Sequence, residues 1–193
     1  MSPFRITTAF LFAFGVMLAA STPVRAEPVR RVVVDRIVAV VDREVITLVE
    51  VRRRAEPFLR TLASLDEAAR TVAEVRMYRD LVDRIVEERL IARRARMASI
   101  TVTASEIDTA IDSIAQTNKL SREALLAEAR TTGLSEADYR DEIYRQILSF
   151  KCLRVYLAGK KKGFAELNDA QMQEASRAMI EESKRDVHIE VRL

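Results

Sequence analysis

Residues able to do covalent or metal chemistry are few and far apart. His188 is the only histidine, so a His-based acid–base pair, a nucleophilic triad or a multi-His metal site has no second member. It sits in an alternating segment, where an exposed polar residue is expected. Cys152 is the only cysteine and falls on the apolar stripe of a helix, where it reads as a small buried hydrophobe and not as a nucleophile. Neighbouring carboxylates such as Glu87 and Glu88, or Glu181 and Glu182, accompany Arg and Lys on what read as solvated helical faces. The arginines at 52–54 and at 93, 94 and 96 also alternate with acids, which favours a solvated face over an anion site. There is no GxGxxG, P-loop or GxSxG motif. The residue types therefore point to binding and not to reaction, with no catalytic residue, metal or cofactor expected.

Composition bounds what could be bound. Residues 1–26 read as a cleavable secretory leader: Arg5 in a short basic start, an uncharged run from Ile6 to Ala20 with the apolar core FLFAFGVML at 10–18, and a break at Ser21-Thr22-Pro23. Val24 and Ala26 then occupy the −3 and −1 positions of a cleavage site between Ala26 and Glu27. The uncharged run of fifteen residues falls short of the roughly 20 needed to span a bilayer, so no stable membrane insertion is expected after cleavage. Taking 26 residues from 193 leaves 167. Because the leader holds Arg5 and Arg25 and no acid, the mature balance is 30 basic against 29 acidic residues. Such a balance argues against a nucleic-acid partner. A single cysteine makes no internal disulfide, so the core must come from packing.

Those residues need a scaffold, and the mature chain predicts a mainly α one. Residues 31–41, rich in Val and Ile, read as a strand, Asp42-Arg43-Glu44 as a turn and Val45-Ile46 as the start of a return strand. Thr47 with Glu50 fits a capping box, opening a helix expected to stop near Arg54 or Ala55, ahead of Pro57. A long helix is expected from about Leu65 to Met97, with Tyr78, Leu81, Val82, Ile85, Val86 and Leu90 on one stripe. Thr103 with Glu106 opens another through Thr117. Ser121 caps the next, which Gly133 ends, and Ser135 opens one running to Gly159. After a basic linker, Asn168 or Asp169 caps a last helix to about Arg185, and residues 187–193 alternate as a terminal strand. A lone hairpin is marginal, so this strand is expected to complete it by pairing with residues 36–41 or 45–47. The organisation expected is a leader (1–26), a helical domain (27–158), and a linker, helix and strand (159–193) that pack back on that domain.

The ordered features resemble one family. VVDRIVAVV at 33–41 followed by EVIT at 44–47 looks like the opening of SurA-type periplasmic chaperones. The blocks DRIVEERLI at 83–91, ITVTASEIDTAI at 100–111 and IAQTNKLS at 114–121 are similar to that family's next helices. So is GLS at 133–135 with Tyr139, Arg140 and Ile143, and MIEESKRDVHIEV at 179–191 is similar to its C-terminal helix and strand. The family usually inserts one or two parvulin-type prolyl isomerase domains before that C-terminal segment, whereas only residues 157–173 stand there in this chain.

The resemblance implies a chaperone core without isomerase activity: an ATP-independent holdase in the periplasm, with unfolded outer-membrane or secreted proteins as clients. Met77, Tyr78, Tyr139, Ile143, Tyr144 and Phe150 are the residues expected near the client, although for any single one the reading as intramolecular core comes first, since helical stripes are usually core. Two alternatives stay open: a prolyl isomerase, or a dedicated assembly partner or strand-swapped homodimer of the envelope.

Overall fold

A computed structural model describes residues 35–160 and 167–192. The leader, the cleavage site between Ala26 and Glu27, the first part of the expected strand and most of the basic linker lie outside the described residues. The elements in order are β1 (Ile37–Val41), β2 (Glu44–Thr47), α1 (Leu48–Leu62), α2 (Glu67–Met97), α3 (Ala104–Thr117), α4 (Arg122–Thr131), α5 (Glu136–Gly159), α6 (Asp169–Arg185) and β3 (Ile189–Val191). The fold is mainly α, with a small hairpin completed by the C-terminal strand.

The sheet is antiparallel in the order β2-β1-β3. Val40 faces Val45 on one side and Glu190 on the other, so of the two pairings open to the terminal strand, β1 takes it. Two further backbone bonds extend the seam: Asp42 N–H donates to the His188 carbonyl (2.8 Å) and Arg192 N–H to the Val38 carbonyl (2.7 Å). The register of β1 against β2 slips between Ile37 and Ala39. That irregularity lets the adjacent Val38 and Ala39 both be buried, where strict alternation would expose one. The turn lacks Gly and Asn, and Asp42 takes the left-handed conformation (φ 56°), which Asp tolerates better than most residues.

Helix starts follow the expected chemistry. The Thr103 and Ser135 hydroxyls and the Asn168 side-chain carbonyl each accept the N3 amide, and the side chain at N3 reaches back to the cap residue's own amide. Thr47 caps α1 by accepting from the Glu50 amide, but the Glu50 side chain does not return the bond; it is drawn to Arg54 and Arg89 instead. Gly133 ends the α4 segment at φ 92°.

The main departure is α1, which continues through Pro57 to Leu62 instead of stopping before it. Proline inside a helix removes the bond to the carbonyl four residues back, here that of Arg53. The helix survives because Ala55 is buried beyond the sheet, and Leu59, two residues past the proline, packs against the same core. Arg53 and Pro57 both line the cleft described below.

Helix α2 is the spine. Its stripe Leu81, Val82, Ile85, Val86 and Leu90 is buried beneath the sheet, Val51 and Ala55 of α1, and Ile180 of α6. A second core joins Ala95 to Leu148, Cys152, Leu153 and Leu157 of α5 and Met179 of α6. A third holds α3 and α4 against α5 through Ile111, Ala115, Leu125 and Ile143. The Tyr156 ring, with Arg94 and Lys160 guarding it at 5.0 and 5.3 Å, also meets Glu182 and so ties α6 to the α5 end.

Candidate functional site

Helices α1 and α5 each pack along α2, and the space between them is a cleft of about 680 Å³. Its floor runs along α2 from Leu81 to Ala92, about 17 Å at 1.5 Å per residue. The α1 wall carries Arg53, Pro57 and Phe58; the α5 side carries Leu134, Asp141 and Tyr144. Phe58 and Tyr144 are 48% and 39% exposed, well above what aromatic side chains in a packed core show. Gly133, at the turn before α5, lies under the Arg60 guanidinium, and a Cβ there would approach its Nη1 to 3.3 Å.

The floor is lined with charge, and the charges are paired across helices. Glu88 of α2 receives Arg54 of α1, Arg84 of its own helix at 3.6 Å and Arg145 of α5 at 3.5 Å. Glu142 of α5 accepts from Arg84 (2.7 Å) and Arg145 (2.8 Å). Glu50 accepts from Arg89 (2.9 Å) and Arg54 (3.4 Å), and Arg89 continues to Glu44 at 3.4 Å. An unbroken ladder of guanidinium and carboxylate groups thus crosses from the hairpin to α5. Partial burial pushes the Glu142 carboxyl up. The hydrogen bonds from Arg145 and Gln146, with the charges of Arg84 and Arg145, outweigh it and hold the group below the ordinary glutamate range.

Of the six residues expected near a client, only Tyr144 lines the cleft. Met77 and Tyr78 pack partly buried against the sheet core. Tyr139 packs on the α3–α5 core, and Ile143, 4% exposed, lies within it. Phe150 is half-exposed on α5 outside the cleft lining. Phe58 and Leu134 were not singled out. A helix expected to stop before Pro57 left Phe58 without a face, and the signal that could have found it is the aromatic immediately after that proline. Among the described residues, no group of three or more His, Cys, Asp or Glu is placed to hold a metal. No described helix is long and apolar enough to cross a membrane.

Comparison with known proteins agrees with this architecture. The family described as the SurA N-terminal domain matches residues 34–152, from the first strand to the middle of α5. The chain is 35% identical over 140 residues to Chaperone SurA of Cupriavidus metallidurans, covering 69% of this chain and 28% of that protein. It is 36% identical over 138 residues to Chaperone SurA of Aromatoleum aromaticum, 72% of this chain and 31% of that one. With Chaperone SurA of Chromobacterium violaceum the match is 25% over 181 residues, 94% of this chain and 40% of that one. The matches thus cover well under half the length of these relatives, and reach furthest in the last. The matched region holds the strands and helices that build the cleft, and on it the chain belongs to the SurA N-terminal domain family.

Proposed function

We propose that the protein is an ATP-independent holdase of the periplasm, binding extended segments of unfolded outer-membrane or secreted proteins in the cleft between α1 and α5. The observation that carries this reading is the pair of half-exposed aromatics, Phe58 and Tyr144, lining one open cleft. A client ring that loses about 100 Å² of apolar surface there gains roughly 2.5 kcal/mol, enough for capture and weak enough for release. Such burial is non-directional, which suits clients of many sequences. Membership of the family that includes proteins named Chaperone SurA supports the chaperone role. The leader read at residues 1–26 supports the compartment. A floor about 17 Å long holds about five residues of extended chain at 3.3 Å each.

The test is aggregation of an unfolded porin without nucleotide. Suppression is expected at near-stoichiometric ratios, and aggregation unchanged at severalfold excess of this protein counts decisively against the holdase. A photoreactive residue at Tyr144 or Phe58 is expected to crosslink client in the cell, and one at Tyr78, packed on the sheet core, much less. Crosslinks concentrated at Phe150 instead would move the client face to the outer side of α5.

A further inference from the structure

Resting on that reading, we infer that the cleft recognises the client's main chain as well as its side chains: guanidinium groups of Arg54, Arg84 and Arg145 donate hydrogen bonds to backbone carbonyls of the bound segment. A guanidinium has five N–H donors. Arg145 spends two on Glu142, through Nε at 3.3 Å and Nη2 at 2.8 Å. Arg84 spends one on Glu142, at 2.7 Å, and its Nε meets Glu88 only as an ion pair. Arg54 spends one on Glu88 and one on Glu50. Three or four donors remain on each, while Glu88 and Glu142 are each shared by two or three arginines. Each of the three thus keeps N–H groups that no acceptor among the described residues takes. The carboxylates fix the planes of the guanidinium groups, so little ordering is left to do on binding. The three side chains line the cleft and keep 21%, 57% and 28% of their surface exposed, in the order Arg54, Arg84, Arg145.

The complement to such fixed, unspent donors is a set of acceptors. An extended chain buried in the cleft must have its carbonyls satisfied, and those on one side repeat every two residues, about 6.6 Å. Arg54, Arg84 and Arg145 all reach Glu88, and Arg84 and Arg145 share Glu142, so their unspent donors form one cluster that can meet a short stretch of main chain. Every residue has a carbonyl, proline included, so this recognition is blind to sequence while the aromatics grip side chains. Acidic side chains are the competing occupant, and the test separates them.

The full chain is titrated, by calorimetry, with an unlabelled, end-capped and uncharged peptide of alternating Tyr and Ser, and with the same peptide carrying thioamides at alternate positions. A thioamide is a poorer acceptor and a better donor, so only carbonyl recognition weakens. The wild type is expected to bind the thioamide peptide about three- to tenfold less tightly. Arg145→Lys keeps the charge against Glu142 but loses the fork; it should bind the normal peptide less tightly and show a smaller thioamide effect than the wild type, Arg54 and Arg84 retaining the rest. Arg84→Lys, at a more exposed position, provides the same readout if the first variant is poorly folded. Equal wild-type affinity for both peptides overturns the inference, as does a loss in Arg145→Lys seen only with peptides containing Asp or Glu. Both results leave the cleft as the binding site, provided Tyr144 crosslinks the peptide; no crosslink there removes the cleft reading and this inference together.

Discussion

The Cys152 thiol lies 3.8 Å from the Ile91 carbonyl in the core between α2 and α5, and burial pushes its pKa up. A thiol that is neither ionised nor reachable is inert. Thiol-specific reagent should therefore leave the native protein unmodified over minutes and react fully once denaturant is added; rapid native labelling would contradict the packing. Glu142 makes the opposite case, a carboxyl held below the ordinary range by its arginines. A depressed carboxyl contributes stability that is full above its unfolded value, about 4.3, and lost as pH falls through the folded one. Glu142→Gln should thus be less stable than wild type near pH 7, with the gap closing below about pH 4. A gap constant down to pH 3, followed by denaturant titration, would show that the loss is packing and not charge. At this scale the sequence was only partly legible. Thr103 with Glu106 closes a capping box as read, whereas the same pattern at Thr47 and Glu50 does not. The difference is tertiary: Arg89, far along the chain, outbids the local amide for the Glu50 carboxylate.

Element starts and stops were the most legible layer, because caps and periodicity are local. Thr103, Ser121, Ser135 and Asn168 each accept an amide at a helix start, and the α2 stripe is buried as the spacing of its apolar residues requires. Pro57 misleads for a physical reason: its local cost is real, but packing beyond it, at Leu59, outweighs that cost. Misplacing the end of α1 also hid the cleft, whose wall is that same stretch of helix. The terminal strand is the element with most at stake. Removing residues 187–193 takes away the β1–β3 seam and the packing of Val187 and Ile189 on the sheet core. The melting temperature should fall by many degrees; an unchanged melt would mean that the hairpin and α6 hold the core without it.

At the scale of the molecule, α5 and α6 are joined by residues 160–168, far fewer than the roughly 50 an independent domain needs. A substrate whose refolding waits on proline isomerisation should accordingly refold at an unchanged rate with this chain present, and a catalytic acceleration would overturn that expectation. The centre of the sheet carries one more consequence. β1 is made well before its outer partner at Val191, about 150 positions later, while the helices between them close by contacts that are mostly nearer in sequence. The β1 edge therefore stays bare while those helices are being made, and unpaired strand edges invite association. The sheet is thus sealed only after every helix between its two outer partners has been made, which makes the β1–β3 seam a late step of folding and not its start.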